Sequence, residues 1–96
     1  MNYYQINAWV NKTYYEKMKT FKDLVFEPHP SGTGSIARME FNNGHGISVV
    51  KGHIFLGETN LYDMAEIFNK EVVTATNTME VTEEQITNKM IELQEQ

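Results

Sequence analysis

Histidine is the side chain most often used for metal binding and for acid–base chemistry near neutral pH, and it occurs here as His29, His45 and His53. None of the three has a His, a Cys or a carboxylate two or four residues further along the chain. Zinc sites commonly draw on ligands at such short spacings. The sequence therefore predicts neither a metal site nor a metal cofactor.

The hydroxyl groups that could act as nucleophiles belong to Ser31, Ser35 and Ser48. None of them lies in a Gly-x-Ser-x-Gly nucleophile elbow. A pair formed by Ser48 with His45 or His53 lacks a third group to orient the imidazole ring. We therefore predict that the protein is not an enzyme and that it uses no cofactor.

Arg38 is the only arginine, and its guanidinium fork suits a phosphate or a carboxylate. The strand pairing derived below places it beside Gly46 and Ser48, where small side chains leave room for a ligand. The structural alternative is an ordinary surface ion pair of Arg38 with Glu40 or Glu66. Both interpretations remain open from the sequence.

Other candidates are expected around the same sheet. We predict that one edge of the sheet brings together His45, His53 and Tyr62. Trp9 belongs to an aromatic N-terminal segment. This segment either packs in a core or an oligomer, or forms a stacking platform for a base or a peptide. The candidate ligand- or partner-binding residues are Arg38, His45, Ser48, His53, Tyr62 and Trp9.

A β-hairpin around residues 42–44 (NNG) is predicted to position most of these side chains, because Asn-Gly between alternating apolar runs favours a tight turn. A two-residue loop would split the apolar residues between both faces of the hairpin. A three-residue loop with Gly44 in the left-handed conformation gathers them on one face. The predicted pairs are Phe41 with His45, Met39 with Ile47, and Ala37 with Val49.

Further elements follow from periodicity and capping. Alternation predicts strands at residues 3–10, 53–56, 61–68 and 71–75, with a turn at residues 69–70. Helical spacing predicts a short helix over residues 14–19. Thr82 and Gln85 form a capping box for a C-terminal helix whose apolar stripe contains Ile86, Met90 and Leu93.

The predicted fold is of the α+β class: a small antiparallel sheet of about four to five strands, a C-terminal helix packed on one face, and a short N-terminal helix. We expect a single domain over residues 1–96. Residues 1–20 form an N-terminal extension, residues 21–81 a hairpin-based sheet, and residues 82–96 the C-terminal helix.

Composition narrows the possible environments and partners of this 96-residue chain. It has no cysteine and a net charge of −5, so we expect a reducing compartment, the cytoplasm, and no non-specific binding to nucleic acid. No apolar run is long enough to span a membrane. Apolar and aromatic residues such as Met64, Tyr62, Phe68 and Trp9 exceed what one sheet face and one helix stripe cover, which predicts a homo-oligomer.

Four short segments of the chain form a distinctive set of motifs: residues 23–26 (DLVF), 28–30 (PHP), 41–50 (FNNGHGISVV) and 60–65 (NLYDMA). These segments resemble small proteins encoded in tailed-bacteriophage and prophage genomes. The match covers about half of the chain. Residues 1–20 look like an extension relative to the group, and residues 53–57 (HIFLG) replace a tyrosine-glycine segment.

This resemblance implies a phage accessory protein of a group with no assigned enzymatic activity. The expected function is that of a binding protein which inhibits or sequesters a host factor, either a defence-system protein or its nucleotide signal. The partner would thus be a host protein or a small anionic ligand. The alternatives are a structural or assembly accessory protein of the virion and a small hydrolase of unrecognised geometry.

Overall fold

The computed structural model describes residues 18–52 and 61–96, which form an antiparallel sheet and a C-terminal helix. The sheet has five strands that follow one another in sequence order. They are β1 (Glu27–Pro28), β2 (Ser35–Glu40), β3 (His45–Lys51), β4 (Tyr62–Phe68) and β5 (Glu71–Val81), and the helix α1 spans Glu83–Gln94. The predicted α+β sheet with its C-terminal helix is confirmed.

Before the sheet, the helical structure of the described residues is limited to one 3-10 turn, Phe21–Asp23, which follows the predicted short N-terminal helix at residues 14–19. The Asp23 carboxylate accepts a hydrogen bond from the Thr20 backbone N–H at 2.8 Å, which favours a tight local turn. Leu24 then takes an extended backbone conformation, so the helical conformation ends there. The strands predicted at residues 3–10 and 53–56, and most of the predicted N-terminal helix, lie outside the described residues.

The β2–β3 hairpin has the predicted register and loop. Met39 pairs with Ile47 and Ala37 with Val49, and the Phe41 N–H donates to the His45 carbonyl at 2.7 Å. Gly44 has a φ of +86°, the left-handed conformation that glycine adopts without steric cost. The three-residue loop is therefore confirmed.

The helix begins with the predicted capping box. Thr82 Oγ1 accepts from the Gln85 N–H at 3.1 Å, and Gln85 Oε1 accepts from the Thr82 N–H at 2.8 Å. The apolar stripe of the helix is completely buried and packs against the face of the sheet that we call the helix face. The core on this face includes Ile47, Val49, Tyr62, Met64, Ile86, Met90 and Leu93.

The opposite side of the sheet, which we call the outer face, carries both polar and apolar residues. Arg38 and Glu40 are exposed there, while Ala65 and Ile67 of β4 are buried. Because β4 lies between β3 and β5 and has apolar residues on both faces, it is an interior strand of the sheet. This agrees with the two-sided apolar pattern of its sequence.

Strand β5 is longer than the predicted residues 71–75, and it is irregular. The turn before it is the predicted one, with Asn69 and Lys70 both at positive φ. Its pairing with β4 is then interrupted by register shifts between Tyr62 and Met64 and between Met64 and Glu66. The polar run at residues 74–78 lacks the apolar alternation by which a strand is recognised, which is why its sequence did not predict the full length.

No helix within residues 18–52 and 61–96 has the length and the apolar character needed to cross a membrane.

Candidate functional site

The structure divides the predicted site residues between the two faces of the sheet. Arg38 and Ser48 are direct cross-strand neighbours on the outer face. His45 and Tyr62 lie on the helix face, at opposite ends of the sheet. The remaining two predicted residues, His53 and Trp9, lie outside the described residues. One site that includes all four described residues is therefore not formed.

Arg38 is exposed, and in the described part of the chain its side chain makes one hydrogen bond, which is long. Its Nη2 donates to the Lys70 carbonyl oxygen at 3.4 Å. The neighbouring strand leaves no open space beside Arg38. Ser48, directly opposite Arg38, is buried, and a Cβ added at Gly46, opposite Glu40, would lie 2.5 Å from the Met39 carbonyl oxygen. The small side chains on this strand therefore serve packing rather than a ligand pocket.

The predicted alternative for Arg38, an ion pair with Glu40 or Glu66, is also absent. Glu66 lies on the helix face, where its carboxylate is 3.8 Å from Lys89 Nζ. In the described part of the chain, Arg38 and Glu40 form no ion pair within 4 Å. Both charges therefore remain available on the outer face.

His45 serves the fold at the tip of the hairpin. Its ring packs against Phe68, with ring centroids 4.9 Å apart, and its backbone N–H donates to Asn43 Oδ1 at 3.1 Å. Among the residues that the structure describes, no group of three His, Cys, Asp or Glu side chains could hold a metal ion.

Tyr62 belongs to a cleft of about 330 Å³ that combines aromatic and basic side chains. We call it the lysine–aromatic cleft. It is lined by Phe21, Lys22, Leu24, Phe26, Ser35, Lys51 and Tyr62.

Three aromatic rings form one wall of the lysine–aromatic cleft. The centroid of the Tyr62 ring lies 5.1 Å from that of Phe21 and 5.8 Å from that of Phe26. Phe21 and Phe26 are themselves 5.8 Å apart. The rings are tilted with respect to each other, as aromatic pairs prefer. They present an apolar surface against which a planar ligand could pack.

The 3-10 turn that carries Phe21 and Lys22 is fixed to the helix by polar contacts. The Phe21 N–H donates to Thr87 Oγ1 at 3.1 Å. The side-chain amide of Gln94 accepts from the Lys19 N–H and donates to the Lys19 carbonyl, both at 2.8 Å. The cleft is therefore positioned by contacts between residues that are far apart in sequence.

The charges in the cleft are basic. Lys51 Nζ lies 5.8 Å from the centroid of the Tyr62 ring, within the range of a cation–π interaction. In the described ranges, neither Lys22 nor Lys51 has a carboxylate within 4 Å. Two ammonium groups thus border an aromatic surface, and the described residues supply no fixed counter-ion for either.

The hydroxyl of Tyr62 stays protonated near neutral pH. Burial raises the pKa of the Tyr62 phenol above its ordinary value of 10.0, and the negative charge of Glu83 raises it further. A neutral phenol can donate a hydrogen bond to an anion, whereas a phenolate would repel it. The chemistry of the cleft therefore favours a ligand with both an anionic group and an apolar or aromatic part.

Sequence reasoning identified only Tyr62 among the residues that line this cleft. Lys51 could have been found, because extending the strand pairing by one residue places it opposite Tyr62. Phe21, Lys22 and Phe26 carried no such signal. Phe21 and Lys22 belong to the 3-10 turn that is held against the helix, and Phe26 immediately precedes β1.

A second cleft, of about 570 Å³, lies beside β2 near the tip of the hairpin. We call it the β2-edge cleft. Its residues are Met18, Lys19, Met39, Glu40, Phe41, Asn42, Asn43 and Gln94. Because Lys19 and Glu40 carry opposite charges, this cleft has no preference for a small anion.

Comparisons of the chain with protein-family models, curated proteins and solved structures found no match.

Proposed function

We propose that this protein is a non-enzymatic binding protein that sequesters a small anionic ligand with an aromatic part, of the nucleotide class, in the lysine–aromatic cleft. One observation carries the proposal: Lys22 and Lys51 lie beside three aromatic rings, and neither has a carboxylate partner among the residues that the structure describes. On a chain of net charge −5, such a basic site is a local exception.

The two halves of the cleft suit the two halves of a nucleotide. A base can stack on an aromatic surface, and stacking contributes about 1–3 kcal/mol per base. Phosphate oxygens accept hydrogen bonds from ammonium groups and from a neutral phenol such as that of Tyr62. A volume of about 330 Å³ suits a small ligand better than a protein segment.

The resemblance to tailed-phage accessory proteins supports a biological role for such binding. A phage protein that captures the nucleotide signal of a host defence system would act in the host cytoplasm by stoichiometric removal of that signal. The proposed role is therefore that of a host-defence antagonist, and it requires no chemical step at the site.

Isothermal titration calorimetry with linear and cyclic nucleoside phosphates tests the proposal, with the matching nucleosides and inorganic phosphate as controls. We expect binding of at least one nucleotide, with an affinity about tenfold lower in Lys51→Gln and in Lys22→Gln. Lys70→Gln removes the same charge outside the cleft and should leave the affinity unchanged. Absence of binding across the nucleotide panel would overturn the small-ligand proposal.

A further inference from the structure

The described sheet has two edges, and both are partly protected against pairing with another strand. Strand β5 is interrupted by register shifts, where Thr76 Oγ1 donates to the Val73 carbonyl at 2.6 Å and accepts from the Glu66 N–H at 2.8 Å. Strand β1 is only two residues long and includes Pro28, which has no N–H. Bulges, short strands and prolines are the usual means of preventing edge-to-edge association.

One stretch has none of these protections. Strand β1 pairs with β2 only at Ser35 and Ile36, so the part of β2 from Arg38 to Glu40 has no neighbouring strand in the described part of the chain. It is a regular strand without a bulge in its pairing with β3. The backbone of this short edge can therefore form hydrogen bonds with another strand.

The direction of the backbone groups along this edge follows from the register of the hairpin. Phe41 donates to His45, so in an antiparallel ladder the backbone groups of Phe41, Met39 and Ala37 point toward β3. Those of Arg38 and Glu40 point away from the sheet. Within residues 18–52 and 61–96, no backbone hydrogen bond to either residue is formed on that side.

We propose that a second copy of this chain pairs with this edge, antiparallel, about a two-fold axis at Met39. The N–H and C=O groups of Arg38 would then meet those of the partner's Glu40, and the reverse pair forms by symmetry. The two five-stranded sheets would become one continuous sheet through the two β2 strands.

The side chains are complementary in the same register. Arg38 and Glu40 both lie on the outer face, both are exposed, and neither forms an ion pair with another residue of the described ranges 18–52 and 61–96. In the proposed dimer, each Arg38 lies directly opposite the partner's Glu40, an arrangement that stabilises cross-strand pairs. With respect to the described residues, the 3.4 Å contact of Arg38 with Lys70 leaves most of its guanidinium donors available.

The other side of the same strands offers an apolar contact. Met39 lies on the helix face and would meet the partner's Met39, next to Met18 and Phe41 in the β2-edge cleft. A second copy is favoured over an unrelated strand, because one short stretch then supplies both members of each charge pair. Two chains of net charge −5 repel each other overall, so local opposite charges are needed at their interface.

Sedimentation equilibrium of charge-swapped variants tests the interface. Arg38→Glu places two glutamates opposite each other at each pair, and Glu40→Arg places two arginines there. We expect each single substitution to weaken dimerisation roughly tenfold or more, and the double variant R38E/E40R to restore it.

Matched controls change the same charges elsewhere. Lys70→Glu and Glu71→Arg alter exposed residues in and after the β4–β5 turn and should leave the dimer intact. Circular dichroism melts check that each variant is folded. A wild-type protein that stays monomeric at high micromolar concentration, or a double variant that is no better than the single ones, would overturn the proposed interface. Neither result bears on nucleotide binding, because the lysine–aromatic cleft shares no lining residue with this edge.

Discussion

At the scale of single residues, Tyr62 connects the core to the proposed ligand site. Its ring is 8 % exposed and packs with Phe21 and Phe26, while its strand position places it opposite Val81 of β5. From the sequence, Tyr62 and Met64 were predicted to exceed what the core covers, but in the structure both are buried in the core that the helix completes. These two residues therefore no longer support the prediction of a homo-oligomer. The proposed dimer is instead based on the exposed edge of β2.

The raised pKa of Tyr62 makes stability depend on pH in the alkaline range. The folded protein keeps the phenolic proton at pH values where the unfolded chain loses it, because burial and Glu83 raise the pKa above 10.0. This contribution is fully present below pH 10.0 and is lost as the pH rises through the pKa of the folded state. We expect the free energy of unfolding to fall more steeply in wild type than in Tyr62→Phe.

Urea unfolding at several values between about pH 9 and pH 12 measures this difference. Lysines titrate in the same range, but they are common to both proteins and cancel in the comparison. Parallel curves for the two proteins would mean that the Tyr62 phenol titrates as it does in the unfolded chain.

At the scale of elements, the hairpin loop stabilises the end of the helix. Asn43 Nδ2 donates to the carbonyls of Leu93 and Gln96, at 2.8 Å and 3.1 Å. The last carbonyls of a helix have no partner within the helix, so a side chain from elsewhere satisfies them. The same loop that fixes the strand register therefore also fixes the position of the helix on the sheet.

This double role predicts a specific ranking of loop substitutions. Asn43→Ala removes three hydrogen bonds, including the one from His45, and should lower the free energy of unfolding by about 1–2 kcal/mol. Gly44→Ala should cost about 1 kcal/mol because of the positive φ. Asn42→Ala, at an exposed position of the same loop, should change stability by less than about 0.5 kcal/mol.

Urea denaturation of the three variants distinguishes them. If Asn43→Ala were as mild as Asn42→Ala, the contacts of the loop with the helix would contribute nothing to stability. Wild-type stability of Gly44→Ala would contradict the left-handed conformation at the end of the loop.

The elements that the sequence predicted are those determined by local spacing. The hairpin register follows from the alternation around Asn43 and Gly44, and the start of the helix follows from Thr82 and Gln85. Strand β5 could not be delimited in this way, because its shifted pairing depends on a hydrogen bond between Thr76 and the backbone of β4. The sequence did not predict the lysine–aromatic cleft for the same reason, because its walls come from segments that meet only after folding.

At the scale of the whole molecule, the proposed site is a basic region on an acidic protein. The net charge of −5 lowers the local concentration of free anions, so binding depends on Lys22 and Lys51 overcoming that field at short range. Near physiological ionic strength, salt largely screens interactions between exposed charges that lie more than about 8–10 Å apart. The sign of the salt dependence therefore shows whether the nearby lysines or the distant carboxylates dominate.

We expect nucleotide affinity to fall severalfold as the salt concentration rises from about 0.05 M to about 0.3 M. The double variant K22Q/K51Q should show a smaller decrease in affinity than wild type, and Lys70→Gln should show the same decrease as wild type. Calorimetric titrations at three salt concentrations measure it. An affinity that rises with salt would show that repulsion by the whole molecule outweighs attraction by the two lysines.

The amide of Gln94 joins the segment before the 3-10 turn to the last turn of the helix. It holds both backbone groups of Lys19 and also donates to the Met90 carbonyl at 2.9 Å. The exchange of the Lys19 amide hydrogen with solvent should therefore occur when the end of the helix frays, rather than at the rate of a free loop. A single deuterium-exchange signal near one end of the chain would thus report on the opening of a helix more than seventy residues away in sequence.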